Sequence, residues 1–376
     1  MAKSNLMSAR RSLEGFSMVE LMVGLAVGLL ATVAVTQIMV YSEGQKRSTT
    51  SGADAQVSGA LGLYALQRDI QMAGYGFSGT QAAVGCTLSA KYNGAAVAAF
   101  PTTLAPVIIT QGAAGAPDTV RVLASGWPRT QSRANTYSIP TTVVGAGYDP
   151  NDQTPPNGKA FWVPLTSTLG IKQGDLLIGV IDATQPCGVF QATSDATGGS
   201  VARADNPQWN SNKQPSIAYA NGSYVVNLGQ LVDHTYSIGT KSNLQRGTFR
   251  TDTLAVDTVD IQQGIVNLKV MYGKDTNADN VVDTYDNVTP TTNAGWLQVR
   301  SVRMAIVARS TQYEQSEVTT ANPSWDVGTA TTVAGTVTCG SSKCLSLKVD
   351  GLADWKHYRY KVFDTVIPLR NLLWKS

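Results

Sequence analysis

The chain has 376 residues with 29 Lys and Arg against 26 Asp and Glu, a formal net charge of +3, and 43% hydrophobic residues. A balance this close to neutral does not resemble a strongly basic nucleic-acid-binding domain, and the length admits a sizeable core. Four cysteines and two histidines limit metal and triad chemistry from the start.

The first element is apolar. From Leu21 to Ser42 no residue is charged, and only Thr32, Thr36, Gln37 and glycines interrupt the run. At about 1.5 Å per residue it spans a bilayer core of about 30 Å. Lys3, Arg10 and Arg11 against Glu14 keep the N-terminus cytoplasmic and send the rest across. One carboxylate, Glu20, stands at the start of this segment. A charge there costs about 2.5 to 3.5 kcal/mol and asks for a partner, or for snorkelling to the interface. A cleaved secretory signal needs a small-x-small site, which only Thr32-Val33-Ala34 approaches. A plain signal anchor explains the length and leaves Glu20 without a reason.

The helix is expected to continue beyond the membrane, because no proline occurs before Pro101 and Val57, Ala60, Leu61, Tyr64 and Ile70 keep a three-four spacing. Gly44, Gly52, Gly59 and Gly62 each weaken it by about 1 kcal/mol, so bending or fraying is expected between Gly44 and Gly59. Gly24 and Gly28 form a Gly-x-x-x-Gly pair. Gly74 and Gly76 end the helix.

From about Thr80 the chain turns rich in Gly, Ser, Thr, Asn and Pro, with β-branched runs at 107–110, 119–123, 176–180 and 223–227. These read as strands. In 265–270 and 302–309 alternation places polar residues on one face and apolar ones on the other. One mostly antiparallel sheet is expected, in one large domain or two lobes.

Cys86, Cys187, Cys339 and Cys344 predict two disulfides in an oxidising compartment. Cys339 most simply closes on Cys344, leaving Cys86 and Cys187, although four cysteines allow three connectivities. Zinc is disfavoured, since no paired Cys-x-x-Cys occurs and His234 and His357 lie far from any cysteine. Asp275, Asn277, Asp279, Asp283 and Asp286 fall at positions 1, 3, 5, 9 and 12 of a calcium loop, with the Val281 carbonyl at 7. Asn280 replaces the usual glycine at position 6 and Asp286 the usual glutamate at 12. The competing reading is an acidic turn with no metal. Complete Gly-x-Ser-x-Gly, His-Glu-x-x-His and phosphate-loop motifs are missing, Gly239-Thr240-Lys241-Ser242 lacking its upstream glycine. Asp233-His234 reads as a surface or strand-edge pair, His357 as packed among aromatics, and no enzymatic reaction is assigned.

Gly15-Phe16-Ser17-Met18-Val19-Glu20 resembles the class III signal of type IV prepilins. Leu66-Gln67-Arg68-Asp69-Ile70-Gln71-Met72-Ala73-Gly74-Tyr75-Gly76 is similar to the spine end of PilW-type minor pilins. Gly174-Asp175-Leu176-Leu177 through Cys187-Gly188-Val189-Phe190 resembles their central strands, and Tyr272 to Asp283 their acidic loop. Val299-Arg300-Ser301-Val302-Arg303 and Tyr360 to Leu372 resemble their closing strands; the loops between Thr87 and Thr168 and between Ser194 and Leu254 are unmatched.

The resemblance implies an α+β, type IV pilin-like fold, a long helical spine packed on a large, loop-rich, mainly antiparallel β domain. Its segments would be a leader over 1–15, a membrane and assembly helix over 16–42, an amphipathic outer half over 43–73 and a periplasmic domain over 74–376. Prepilin peptidase would cut between Gly15 and Phe16, Phe16 would become the N-methylated first residue, and Glu20 would pair with a neighbouring subunit's amine. Without the leader the charged residues stand at 26 against 25. The implied role is that of a minor pilin priming assembly, held first in the inner membrane with its head in the periplasm, then in the fibre and at its tip. Implied partners are other minor pilins and the major pilin through the N-terminal helix, and a tip adhesin, in support of adhesion, twitching motility or DNA uptake. A bulky minor pseudopilin of a type II secretion system fits the same leader and Glu20. The alternative of another class is a membrane-anchored periplasmic binding module or enzyme.

Overall fold

The computed structural model describes residues 15–126, 140–153, 158–196, 198–204, 208–211 and 214–373. The leader residues 1–14 lie outside them. The chain divides into two units, Met1–Ala53 and Asp54–Ser376. Helix α1, Met18–Met72, begins in the first and ends in the second.

In the first unit α1 is exposed at every described position except the half-buried Gly52. Thr32 donates its hydroxyl to the Leu29 carbonyl (2.8 Å) and Thr36 to the Thr32 carbonyl (2.7 Å), so both polar groups are satisfied within the helix. Helical structure continues unbroken through Gly44, Gly52 and Gly59, against the fraying expected there.

The second unit opens with residues 54–72 of α1, whose Ala55, Leu66 and Ile70 are buried. Gly59 and Gly62 are buried too, and they serve contact. A Cβ on Gly59 would overlap the Phe363 ring, and one on Gly62 would touch Ile265 at 3.4 Å. The packed sheet thus offsets the intrinsic weakness of these glycines. At the end of the helix Gly74 adopts φ 77°, which turns the chain so that its amide reaches the Leu123 carbonyl at 2.8 Å.

Strands follow in chain order: β1 (Leu88–Ser89), β2 (Lys91–Tyr92), β3 (Ala95–Ala96), β4 (Val107–Thr110), β5 (Thr119–Ala124), β6 (Thr141–Thr142), β7 (Trp162–Pro164), β8 (Leu176–Val180), β9 (Cys187–Gln191) and β10 (Ser200–Ala202). Next come β11 (Tyr224–Gly229), β12 (Val232–Gly239), β13 (Asn243–Phe249), β14 (Val256–Gln263), β15 (Ile265–Lys274), β16 (Thr284–Asp286), helix α2 (Asn293–Leu297) and β17 (Val299–Arg309). The chain closes with β18 (Ser324–Asp326), β19 (Thr336–Cys339), β20 (Ser342–Ser346), β21 (Tyr360–Pro368) and helix α3 (Arg370–Leu373).

The single sheet expected from the sequence is instead divided. Two five-stranded sheets run β1-β9-β8-β11-β6 and β14-β13-β12-β5-β4, a four-stranded sheet runs β16-β15-β17-β21, and a three-stranded sheet runs β18-β20-β19. Pairing is antiparallel except between β1 and β9. The main core joins Leu66 and Ile70 of α1 to Val122, Tyr236, Leu268, Met304, Ile306 and Ile367. The β15–β17 sheet is buried on both faces, against the polar face its alternation predicted: Val302, Met304 and Ile306 join the α1 core, while Ala305 and Val307 pack on Trp325, Val327 and Leu347. The physical reason is the small β18–β20 sheet, which a linear pattern does not announce. Asp118, buried, accepts from Lys269 Nζ (2.7 Å) and the Val270 amide (3.0 Å), tying the start of β5 to β15. The β8–β9 sheet is filled by separate clusters around Leu176 and Ile178 on one side and Leu177, Phe190 and Val225 on the other.

Candidate functional site

Ser17 Oγ accepts from the Val19 amide at 3.3 Å, and Glu20 Oε2 accepts from the Ser17 amide at 3.1 Å. This arrangement is a variant of the capping box in which Ser17 bonds the amide at N2 in place of N3, and its Ser-x-x-Glu signature was present in the sequence without being read as one. Glu20 therefore has a partner inside its own chain, and its position in the first turn suits the helix dipole. A carboxylate offers about four acceptor positions, so bonding to one amide leaves room for a second cation. Phe16 is 86% exposed. Met18–Lys46 is the one stretch among the described residues long and apolar enough to cross a membrane.

The outer face of α1 in the second unit adds a feature that spacing alone could have located. Val57, Leu61 and Tyr64 are 53 to 64% exposed at i, i+4 and i+7. They form an apolar ridge opposite the face that packs on the sheets.

Asp69, near the end of α1, locks helix to sheet. Its Oδ2 accepts from Tyr236 Oη and meets His234 Nδ1, both at 2.6 Å. Burial works against its ionisation, but the His234 and Tyr236 hydrogen bonds and the nearby His234 and Arg246 charges prevail and hold its carboxyl below the usual range. Burial, with the Asp69 carboxylate beside it, pushes the Tyr236 phenol up. The expected Asp233–His234 edge pair is absent because alternate strand residues face opposite ways. Asp233 is 1% exposed and binds Arg121 through both oxygens (2.7 and 2.5 Å). His357 stacks on Tyr313 at 4.7 Å with Nδ1 2.8 Å from the Glu314 carbonyl.

The acidic loop joins β15 to β16. Asn280, at position 6, has φ 69°, the left-handed turn that a calcium loop needs there. Asp275 Oδ1 accepts from the Ala278 amide (2.7 Å) and Oδ2 from the Asn280 amide (3.0 Å); Asp279 accepts from the Val281 amide (2.7 Å), and Asp283 from Thr276 and Asn277. The charges at both ends are already met. Arg300 Nε and Nη2 hold Asp275 Oδ2 at 3.0 and 2.8 Å, and Lys274 Nζ holds Asp286 at 2.8 Å in β16. Burial opposes ionisation of Asp275, and the Arg300 guanidinium with the two amides overcomes it, keeping the carboxyl below its ordinary range. No three carboxylates of the loop converge among the described residues. The turn at Asn280 is of the kind a calcium loop uses, and the ion pairs at positions 1 and 12 would compete with an ion.

Both disulfides have the pairing preferred from the sequence. Cys86–Cys187 joins residues 101 apart beside β1 and β9, and Cys339–Cys344 closes the β19–β20 hairpin.

The family model described as Type IV Pilus-assembly protein W matches residues 232–371. That segment is similar to PilW-type proteins of type IV pilus assembly. The matched segment runs from β12 to α3, so it contains Tyr236, the acidic loop with Arg300, and the strands that embrace α1. The β1-β9-β8-β11-β6 sheet precedes it. A type IV-like pilin from Thermus thermophilus is similar at 8% identity over 84% of this chain and 96% of that one, with a TM-score of 0.32, a likeness too low to carry the assignment. No curated protein matches. The likeness to the family model supports a component of the type IV pilus, from a family that is structural in general, and Met18–Lys46 is long and apolar enough to anchor it in a membrane.

Proposed function

We propose that the chain is a PilW-type minor pilin that helps to initiate pilus assembly and sits in the complex at the fibre tip, supporting adhesion, twitching motility or DNA uptake. The observation that carries the reading is the carboxylate Glu20 in the first turn of α1, directly ahead of the exposed, uncharged stretch 21–42. Cleavage after Gly15 would create a cationic amine on Phe16, and the amine of a neighbouring subunit would take the acceptor positions on Glu20 that Ser17 leaves free. In lipid such a pair has few competitors, so docking is favoured and register is set. The inner membrane, the prepilin peptidase, the other minor pilins, the major pilin and a tip adhesin are the partners of this pathway, with the head in the periplasm. The apolar ridge of Val57, Leu61 and Tyr64 extends the helix-packing surface beyond the membrane. A bulky head supports a terminal place, because one copy capping a bundle meets less steric conflict than a repeated shaft unit.

The acidic loop is included as a calcium site formed by Asp275, Asn277, Asp279, the Val281 carbonyl and Asp283, with Asp286 joining once Lys274 releases it. The turn at Asn280 supports this assignment.

Replacing Glu20 with alanine tests the assembly role: piliation should be lost while the protein stays stable in the membrane. Unchanged piliation overturns the reading. Immunogold labelling along whole shafts, in place of the ends, overturns the tip placement.

A further inference from the structure

The sheet edges of this head differ in one respect. A free edge presents unpaired amides and carbonyls and invites another strand, and native proteins cover it or guard it with lysine, proline or irregularity. The edge of β4 is covered: Tyr272 Oη accepts from the Ile109 amide (2.8 Å) and lies 3.3 Å from the Val107 carbonyl, while Thr289 donates to the Ile109 carbonyl (2.9 Å). The edge of β16 is bonded to 330–332, through Tyr285 to Ala330 and Thr332 to Tyr285, both at 3.0 Å. Thr166 bonds the edge of β6 through the Thr142 carbonyl at 2.9 Å, and Leu88 of β1 reaches the Thr102 carbonyl at 2.9 Å. The long edge of β21 carries exposed Lys361 and ends in Pro368.

Over Val256–Asp260 β14 has no such cover among the described residues, and its one irregularity, a register shift against β13, falls after Asp260. It is eight residues long, contains neither lysine nor proline, and is exposed at five consecutive positions from Val256 to Asp260. Val256 and Val259 are 50 and 46% exposed. Among the described residues, β13 is its only strand partner. Its charges are all acidic: Asp257 lies 3.5 Å from an Arg250 whose shorter bond goes to Asp252, and among the described residues Asp260 meets the neutral Gln245 amide at 2.9 Å. Backbone groups supply affinity in strand addition, and side chains at alternate positions supply selectivity.

We propose that the outer edge of β14 accepts an extended, lysine- or arginine-bearing segment of another protein as a sixth strand of its sheet. Charge complementarity to Asp257 and Asp260 selects the segment, and Val256 and Val259 give it apolar contact. The site is independent of the assembly reading, since it uses neither Glu20 nor the exposed ridge of α1.

The test uses the full chain in detergent and a short blocked peptide of lysines and valines with lysine on both faces of the strand, because Asp257 and Asp260 fall on opposite faces, beside a control with glutamate for lysine. Amide hydrogen exchange should slow across 256–263 with the lysine peptide and stay unchanged along β21. Binding should weaken about tenfold in the Asp257→Lys/Asp260→Lys variant, and the glutamate peptide should recover it there. Absence of protection at 256–263, protection at β21 instead, or equal protection by both peptides on the natural chain overturns the proposal. The last comparison needs no variant, so it decides the matter even where the double substitution fails to fold.

Discussion

Gly59 and Gly62 lie three residues apart on α1, and changing each to alanine should move stability in opposite directions. Either change gains about 1 kcal/mol of helix propensity. At Gly62 the new methyl finds Ile265 at 3.4 Å and Ile306 at 3.5 Å, ordinary contact distances, so the gain survives and the variant is stabilised by about 1 kcal/mol. At Gly59 the methyl falls within the Phe363 ring, which is packed against the main core, and helix and β21 must separate. Overpacking of this kind costs about 1 to 3 kcal/mol, leaving Gly59→Ala up to about 2 kcal/mol less stable than the parent. Urea titrations of the full chain in detergent, followed by tryptophan fluorescence, measure both. Trimming the ring with Phe363→Leu should restore most of the loss in a double-mutant cycle. Equal stabilisation by the two alanines would refute the close contact between α1 and β21.

Three further outcomes follow from the same contacts. Asp69 is held below the ordinary carboxylate range in the folded state, so its contribution is complete above the unfolded pKa and disappears as pH falls through the lower folded value; Asp69→Asn should therefore flatten the fall in urea midpoint between about pH 5 and 2, and an unaltered pH profile contradicts the lock. Replacing Cys86 and Cys187 with alanine opens a loop of 101 residues and should cost about 4 to 5 kcal/mol, against about 2 kcal/mol for Cys339 and Cys344, which are 5 apart; equal losses by denaturant titration would show that loop entropy is not the controlling term. A calcium chelator should lower the unfolding midpoint and added calcium restore it, with Arg300→Leu making the head more dependent on the ion; a midpoint indifferent to both leaves the loop held by Arg300 alone.

Local chemistry was legible wherever one stretch of chain carried the whole signal. The twenty-two uncharged residues after Glu20 specify an apolar helix whatever follows them, because length and solvation are properties of the segment itself. The β-branched runs became strands, and Asn280 took the turn that its place in the aspartate series required. What the chain order could not express was who meets whom. The glycines of α1 looked like weak points until Phe363 and Ile265 arrived from far along the chain, and His234 looked paired with Asp233 until strand alternation turned it toward Asp69. Arg300 and Lys274 entered the acidic loop in the same way, bringing positive charge where the spacing had suggested only an ion. Helix and ligand spacing depend on neighbours a few residues away; sheet partition, buried ion pairs and the bare edge of β14 depend on contacts between distant segments, and those only the tertiary structure decided.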